Sequence, residues 1–426
     1  MRQLALCIVC GFLCTGLLEA QMSHSVQPMP GIDRFVNVPF LYEHPERGRF
    51  ALQYELGRKF DSTKPTVFVI ADGQQFYVQK GLVRPLQDEL FGQDFNVVGI
   101  FGRGTNDSVR KRIRQGDAVN WESAYDTLKS NEWVEDIESV RRAVLGPRGK
   151  VLLYGRSGGG LLVHQYLAKH PDHVRAVFTQ AAVNRFLDAE FGLSSDTFWD
   201  EIGAYDKKLQ PLLLEVLQRH AGDRNRIMLL LQRQNFFVPA DRIDAERSRL
   251  IHLLDDWNEQ EIARLSKDYQ VDAILSTLGK EDPAGNVRLF EMFAPVLRGA
   301  TGSAAQRVDP DIEVGAMFAA PLMRLMNEGR IAMPSMDLRA LHRVQADVYM
   351  LAGRYDHTAN YRSQIALASH YPNHRLLLLA DGHDFLELGK TGLYPQLVQT
   401  ALSSGIHGPE RAGLEQKLAS LVYHER

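Results

Sequence analysis

The stretch Val151-Leu152-Leu153-Tyr154-Gly155-Arg156-Ser157-Gly158-Gly159-Gly160 determines the fold that the sequence predicts. It is an apolar run that ends in Gly-x-Ser-x-Gly, and the helix-like segment 161–167 follows at once. This pattern predicts a strand, a sharp turn with Ser157 at its apex, and a helix. Such a turn forces the serine into a strained backbone conformation, so small residues have to flank it. The serine oxygen then stands above the sheet, where N–H groups at the helix start can stabilise negative charge.

Two later segments supply the base and the acid that a serine nucleophile needs. Residues 348–352 predict a buried strand that delivers Asp356 beyond its carboxyl end, and residues 375–380 predict another strand, which is followed by His383. Each residue alone could be an ordinary turn, capping or surface residue. Because catalytic groups of open parallel sheets gather beyond the carboxyl ends of the strands, we expect Asp356 and His383 to meet Ser157.

With these motifs the chain resembles the α/β-hydrolase superfamily, in which the triad follows the chain order Ser, Asp, His. It is most similar to the prolyl aminopeptidase (proline iminopeptidase) branch. Residues 97–108 resemble the family's strand ending in Asp-x-Arg-Gly-x-Gly-x-Ser, and residues 131–141 resemble its helix with Asp-Ile-Glu-x-x-Arg. The resemblance covers 66–182 and 345–390. It implies a mostly parallel sheet flanked by helices, an inserted helical cap, and hydrolysis through an acyl-enzyme.

The loop after the third core strand departs from the family pattern. The family has a His-Gly-x-Pro type loop there, whereas this chain has Ala71-Asp72-Gly73-Gln74-Gln75. By this matching, the N–H groups of Gln74 and Gly158 are the predicted oxyanion-hole donors. A carboxylate at Asp72 would repel an oxyanion, so it should be paired or turned away. Asp72, Gly73, Arg103 and Arg156 are the candidates for contacts with the substrate or with the triad, and the two arginines are the candidate partners of Asp72.

Composition excludes several other classes of function. The chain has 426 residues, of which 45% are hydrophobic and 24% charged, which is enough for a large core and an inserted domain. A net charge of −3 offers no basic surface for nucleic acid. We find no phosphate-binding loop and no paired Cys/His spacing, so we expect neither cofactor nor metal. We interpret His164, His170 and His173 as ordinary helix residues rather than metal ligands. The oligomeric state is not indicated.

The N-terminus predicts a secretory signal peptide over residues 1–20. Arg2 precedes an apolar run from Leu4 to Leu18, which is shorter than the about 20 residues of a membrane-spanning helix. Cleavage is expected after Ala20, and an uncleaved anchor is the alternative. No later stretch predicts a membrane span. Because all three cysteines lie inside the signal segment, we expect a secreted or periplasmic protein without disulfides.

The remaining chain divides into four predicted regions. Residues 21–34 form a mobile lead-in, 35–182 the first part of the core, 183–341 the helical cap, and 342–426 the second part of the core. Residues 50–56 alternate in polarity and predict an antiparallel edge strand. Aromatic side chains of the cap could line an apolar pocket or form the cap's own core.

Three kinds of function remain open from the sequence. One is an aminopeptidase, which needs cap carboxylates to hold a substrate ammonium; the candidates are Asp188, Glu190, Asp196, Asp200 and Glu201, which could equally be solvated helix charges. The second is an ester, thioester or lactone hydrolase, for which an apolar pocket suffices. The third is a binding protein on an inactive scaffold, which the intact Ser, Asp and His disfavour. A small molecule or short peptide is the expected partner.

Overall fold

The computed structural model of this chain describes residues 31–71, 78–193, 197–278, 282–300 and 307–423. The predicted signal peptide, residues 1–20, lies outside these ranges. Within them, no helix is both long and apolar enough to cross a membrane.

The described strands build one large mixed sheet and one small hairpin. In chain order, they are β1 (Ile32–Pro39), β2 (Arg49–Leu56), β3 (Thr66–Ile70), β4 (Asn96–Ile100), β5 (Arg114–Gln115), β6 (Ala118–Val119), β7 (Val151–Arg156), β8 (Val174–Gln180), β9 (Asp347–Gly353) and β10 (His374–Leu379). The large sheet has eight strands in the order β1-β2-β4-β3-β7-β8-β9-β10, while β5 and β6 pair with each other.

All pairs from β4 to β10 in the large sheet are parallel, and the two pairs made by β2 are antiparallel. The predicted α/β-hydrolase architecture, a mostly parallel sheet with helices, is confirmed. Every residue of the central strand β7 is buried, as expected for a strand covered on both faces.

The position of β2 differs from the prediction. Its antiparallel pairing is confirmed, but its place at the sheet edge is wrong, because β1 pairs along its whole length from Ile32↔Leu56 to Pro39↔Arg49. Strand β1 begins at Ile32, inside the segment predicted as a lead-in. Its exposed Phe35 and mixed burial explain why its apolar pattern is weak.

Helices cover both faces of the sheet. The helices before the cap are α1 (Val83–Leu86), which continues into a π-helical turn, α2 (Asp107–Arg112), α3 (Trp121–Leu128), α4 (Ser130–Leu145) and α5 (Gly158–Lys169). The cap region contains α6 (Thr197–Tyr205), α7 (Leu209–Arg219), α8 (Arg224–Phe237), α9 (Ile243–Asp255), α10 (Glu259–Asp268), α11 (Val271–Leu278), α12 (Pro283–Ala300), α13 (Pro310–Asn327) and α14 (Leu338–Leu341). The C-terminal part adds α15 (Tyr361–Ala368), α16 (Leu386–Lys390), α17 (Tyr394–Ser404) and α18 (Pro409–Lys417).

The cap region packs as two different parts. Helices α6 to α11, which we call the outer cap, bury apolar side chains in a cluster of their own, which includes Phe198 and Trp199. Helices α12 and α13 contribute side chains such as Phe290 and Leu322 to the main core. For most cap aromatics, therefore, the interpretation as core residues holds, either in the cap or beneath it.

Candidate functional site

Ser157 occupies the sharp turn between β7 and α5, with φ 54° and ψ −124°. The predicted strain is present, since a positive φ is rare for a residue with a side chain. The Ser157 N–H donates to the carbonyl of Gln180 on β8 at 2.9 Å. A Cβ on Gly155 would lie 2.7 Å from the carbonyl oxygen of Gly159, and one on Gly160 would lie 2.9 Å from the Cβ of Ala182. The glycines therefore let strand, turn and helix approach closely enough to present the serine.

The other two predicted residues converge on this serine. Asp356 follows β9 and His383 follows β10. The distance from His383 Nε2 to Ser157 Oγ is 3.2 Å, and from His383 Nδ1 to Asp356 Oδ2 it is 2.8 Å. The second carboxylate oxygen of Asp356 accepts the Ala359 N–H at 2.9 Å. Ser157, Asp356 and His383 are 4%, 2% and 0% exposed, so this hydrogen-bonded chain is shielded from water.

The outer cap contacts the histidine directly. The His383 N–H donates to the carbonyl of Asn235 on α8 at 3.2 Å, and the ring of Phe236 packs on the imidazole with centroids 4.8 Å apart. A Cβ on Gly382 would lie 2.7 Å from the same Asn235 carbonyl. Sequence reasoning placed Phe236 only among the cap aromatics and missed Asn235, because no motif links a helix of an insertion to a strand-end loop.

Of the two candidate arginines, Arg156 directly precedes Ser157 and reaches the residue after His383. Its Nη2 donates to Asp384 Oδ1 at 2.5 Å, and both side chains are buried. Asp384 directly follows His383, and the sequence analysis did not identify it.

Arg103 lies in a different network. Its guanidinium binds both carboxylate oxygens of Asp136 on α4, at 2.7 and 2.8 Å, and donates to the carbonyls of Phe40 and Thr127. These contacts tie the loop after β4 to α4 and to the loop after β1. Because its donors are committed to the protein, Arg103 has none to offer a substrate, and its other candidate role, as a partner of Asp72, stays a prediction.

Of the two predicted oxyanion-hole donors, Gly158 lies among the described residues and Gln74 does not. Gly158 lies at the first position of α5, where backbone N–H groups have no partner within the helix. Its carbonyl accepts a hydrogen bond from Arg288 on α12 at 3.3 Å, and Arg288 also binds Glu291 at 2.7 Å. Asp72, Gly73 and Gln74 lie outside the described residues, so their roles, including a pairing of Asp72 with Arg156, stay predictions.

The cap carboxylates that could hold an ammonium are mostly engaged by arginines. Asp188 binds Arg185 at 2.7 Å and Asp200 binds Arg307 at 2.5 Å. Glu190 is exposed, and Asp196 lies outside the described residues.

Glu201 is partly buried and lies among three cationic or titratable side chains. It binds Arg247 at 3.0 Å and Arg354 at 2.5 Å, and it lies 3.0 Å from the His357 imidazole. Burial alone would raise the pKa of Glu201, but His357 and the two arginines outweigh it and hold this pKa well below its usual range.

A further carboxyl lies in the loop of the histidine. Asp381 accepts the N–H groups of Gly382 and Leu388, each at 2.9 Å. Burial raises the pKa of Asp381 to about 6, although these hydrogen bonds act in the opposite direction. The loop that carries His383 therefore contains a carboxyl whose pKa lies well above that of an ordinary aspartate.

Among the described residues, the potential metal ligands that come together are Glu138, His170 and His173. The carboxylate of Glu138 already accepts from Arg141 at 2.7 and 2.9 Å and from Arg142 at 2.6 Å. Two guanidinium groups at this distance would repel a cation.

His164 lies apart from that group. Its Nδ1 hydrogen-bonds the Tyr371 hydroxyl at 2.7 Å, and burial lowers its pKa to about 3.

Comparisons with known proteins agree with this architecture. A family model described as alpha/beta hydrolase fold matches residues 73–390. No curated protein is similar to the chain. Solved structures with a similar fold include an esterase, RhEst1, from Rhodococcus sp. ECU1013 (15% identity, 83% of this chain and 95% of that one, TM-score 0.44). A bromoperoxidase from Bacillus anthracis (13%, 86% and 98%, 0.40) and a putative lipase from Acinetobacter baumannii AYE (15%, 90% and 93%, 0.40) are further examples. At these identities and TM-scores the likeness says nothing about the substrate of this chain.

Proposed function

Since the chain belongs to the alpha/beta hydrolase fold family, we propose that it is a serine hydrolase with Ser157 as nucleophile, His383 as base and Asp356 as orienting acid. The hydrogen-bonded chain Asp356–His383–Ser157, with distances of 2.8 and 3.2 Å at the carboxyl ends of the strands, carries this proposal. Nucleophile, base and acid are recognised by such geometry and not by their spacing in the sequence.

In the proposed reaction, His383 Nε2 takes the proton of the Ser157 hydroxyl while Oγ attacks the carbonyl carbon of the substrate. Asp356 accepts the Nδ1–H of His383, which fixes the tautomer and stabilises the imidazolium. The oxyanion is held by the N–H of Gly158 and, by the family resemblance, by that of Gln74, each donor being worth about 3 kcal/mol. His383 then protonates the leaving group, and water resolves the acyl-enzyme through the same base.

We propose a carboxylic ester, thioester or lactone as the substrate, in preference to a peptide N-terminus. An aminopeptidase needs a carboxylate that can pair with the substrate ammonium. Asp188, which is buried, and Glu201, which is partly buried, are already paired with arginines at 2.5 to 3.0 Å. Replacing these partners by an ammonium would leave buried guanidinium charges uncompensated. An apolar acyl group requires no such exchange.

The test compares short-chain p-nitrophenyl esters with aminoacyl-naphthylamides, proline included, for the wild type, Ser157→Ala and Ser369→Ala. Ser369 is exposed and its hydroxyl only bonds the Ala366 carbonyl, so Ser369→Ala is the matched control. We expect ester turnover that falls by several orders of magnitude in Ser157→Ala alone, and fluorophosphonate labelling that depends on Ser157.

Two results would overturn these proposals separately. Ester turnover that survives in Ser157→Ala would rule out Ser157 as the nucleophile and with it the proposed catalytic triad. Serine-dependent turnover of the naphthylamides, with a requirement for a free α-amine, would establish an aminopeptidase instead of an esterase.

We also propose that the protein is exported, with residues 1–20 removed after Ala20. The short apolar run behind Arg2 supports this proposal. Expression of the full chain in a Gram-negative host, followed by N-terminal sequencing of the periplasmic protein, should show a new terminus at Gln21. A full-length chain that stays with the membrane fraction would indicate the uncleaved anchor.

A further inference from the structure

We propose that the ion pair between Arg156 and Asp384 positions the catalytic base against the nucleophile and balances the charge around the imidazole. The proposal rests on the proposed function, since it concerns the same serine and histidine. Neither residue is part of the triad, and each would act through its catalytic neighbour.

The two partners are the covalent neighbours of two catalytic residues. Arg156 ends β7 and directly precedes Ser157, and Asp384 directly follows His383. The distance from Arg156 Nη2 to Asp384 Oδ1 is 2.5 Å. This contact spans the same gap as the 3.2 Å contact between His383 Nε2 and Ser157 Oγ. It therefore ties the serine turn to the histidine loop by a second, parallel link.

The turn itself does not require an arginine. The close approaches that shape it are made by Gly155 and Gly160, and the Ser157 backbone is held by the Gln180 carbonyl. A buried ion pair is also an inefficient way to stabilise a fold, because desolvation of both charges offsets much of their attraction. Beyond stability, the pair supplies a directional, charged contact between the serine turn and the histidine loop.

The charge of the pair matters because it lies next to the imidazole. Among the described residues, the groups close to His383 include Asp356 at Nδ1 and Ser157 at Nε2, and Asp381 lies two residues before it in the same loop. From the outer cap, the Arg233 guanidinium lies 4.5 Å from the ring centre of Phe236, which packs on His383, and the Asn235 side chain binds Asp311 and Arg247. Asp384 adds a negative charge on the residue after the base, and Arg156 compensates it.

The test is the pH profile of kcat/KM for Arg156→Met, Asp384→Asn and the double variant. The acid limb of this profile reports protonation of the free base. Arg156→Met removes a positive charge beside the histidine loop and should move the limb to higher pH. Asp384→Asn removes a negative charge from the residue after the base and should move it to lower pH, in each case on the order of one pH unit. The double variant removes both charges and should return the limb to the wild-type position.

A positioning role also predicts a split between kcat and KM. In the double variant, where charge is balanced but the link is absent, kcat should fall by about 10- to 100-fold with little change in KM. Asp384→Glu, which keeps the charge and displaces it by one methylene, should keep the limb in place and lower kcat.

Glu415→Gln is the matched control. Glu415 is a largely buried carboxylate that binds Arg375 at the start of β10, the opposite end of that strand from His383. This variant should lower the melting temperature without moving the limb.

The decisive arm is Asp384→Asn, because an arginine keeps its charge at every pH of the measurement. A limb that stays at the wild-type position in this variant, or shifts in the same direction in both single variants, would overturn the proposal. If either single variant does not fold, the double variant decides: kcat equal to the wild type would overturn it. Failure of the proposed function itself would look different, as turnover that survives in Ser157→Ala.

Discussion

The strand-end loops and the outer cap hold their side chains in place by different means. In the loops, backbone hydrogen bonds to the sheet do much of the positioning, as between the Ser157 N–H and the Gln180 carbonyl at 2.9 Å, and the Arg156–Asp384 pair adds one side-chain link. In the outer cap, ion pairs between side chains do it, as when Glu201 on α6 binds Arg247 on α9 at 3.0 Å. The loops should therefore be sensitive to any added atom at a close backbone approach. The cap should be sensitive to the identity and charge of its side chains.

The strongest way to break the loop side of this comparison is Gly155→Ala. The new Cβ would lie 2.7 Å from the Gly159 carbonyl oxygen, so the serine turn has to shift. We expect kcat/KM to fall by about 100-fold or more, because displacement of a catalytic group by about 1 Å has that effect. Gly222→Ala is the control, since nothing lies within 4 Å of its Cβ, and it should leave activity unchanged. Equal activity in both variants would contradict the backbone argument.

The outer cap is tested with Phe236→Ala and Phe237→Ala, neighbours on α8. Both remove a phenyl ring; the Phe236 ring packs on His383 and the Phe237 ring on Tyr269. Phe236 is buried and Phe237 is partly buried, so we expect Phe236→Ala to lower the free energy of unfolding by about 3 kcal/mol and Phe237→Ala to lower it by less. Only Phe236→Ala should also lower kcat, by about 10-fold, because it frees one face of the imidazole. Loss of kcat in both would mean that the cap acts as a whole and not through this contact.

The smallest expected effect is the pH dependence introduced by Asp381. Its pKa is raised to about 6 by burial, so its contribution to stability is complete below the unfolded value and is lost as pH rises through about 6. Asp381→Asn should therefore gain stability relative to the wild type above that pH, by about 1 to 2 kcal/mol, and show little difference near pH 4. Thermal unfolding at the two pH values measures this.

Glu201→Gln, in the outer cap, should change the pH dependence of stability in the opposite direction to Asp381→Asn. The pKa of Glu201 is lowered by His357 and the arginines that outweigh its burial, so its contribution is present above the unfolded pKa and is lost on acidification. The variant should be less stable than the wild type at neutral pH and approach it as pH falls. The same sign of pH dependence in Asp381→Asn and Glu201→Gln would contradict the contrast between loop and cap.

The sequence was informative where the backbone does the positioning. An apolar strand followed by a chemically distinctive residue can be recognised locally, and this is how Ser157, Asp356 and His383 became the candidates that the structure brings together. Strand β1 was missed because an outer strand with side chains such as exposed Phe35 lacks a continuous apolar run. The contacts of Asn235 and Phe236 with His383 could not be predicted, since they depend on how a helical insertion folds back over the sheet.

The partners of Arg103 and Arg156 could not be predicted from the sequence either. Arg103 and Arg156 were both candidates for the site because the Asp72 carboxylate needs a cation close to it. Whether a long guanidinium reaches the substrate or a distant carboxylate depends on the tertiary path of the chain. Asp136 binds Arg103 and Asp384 binds Arg156. Neither pair can be recognised from the sequence around its members.

The carbonyl of Asn235 has a consequence for how such an enzyme can diversify. This oxygen belongs to the inserted region, yet it accepts the N–H of His383, and Gly382 has no side chain at the point where it would collide with it. The insertion is thus a structural partner of the chemistry and not an exchangeable module on a finished scaffold. A chimera that grafts a foreign cap onto this sheet would have to reproduce one backbone oxygen above the histidine, whatever pocket it brings with it.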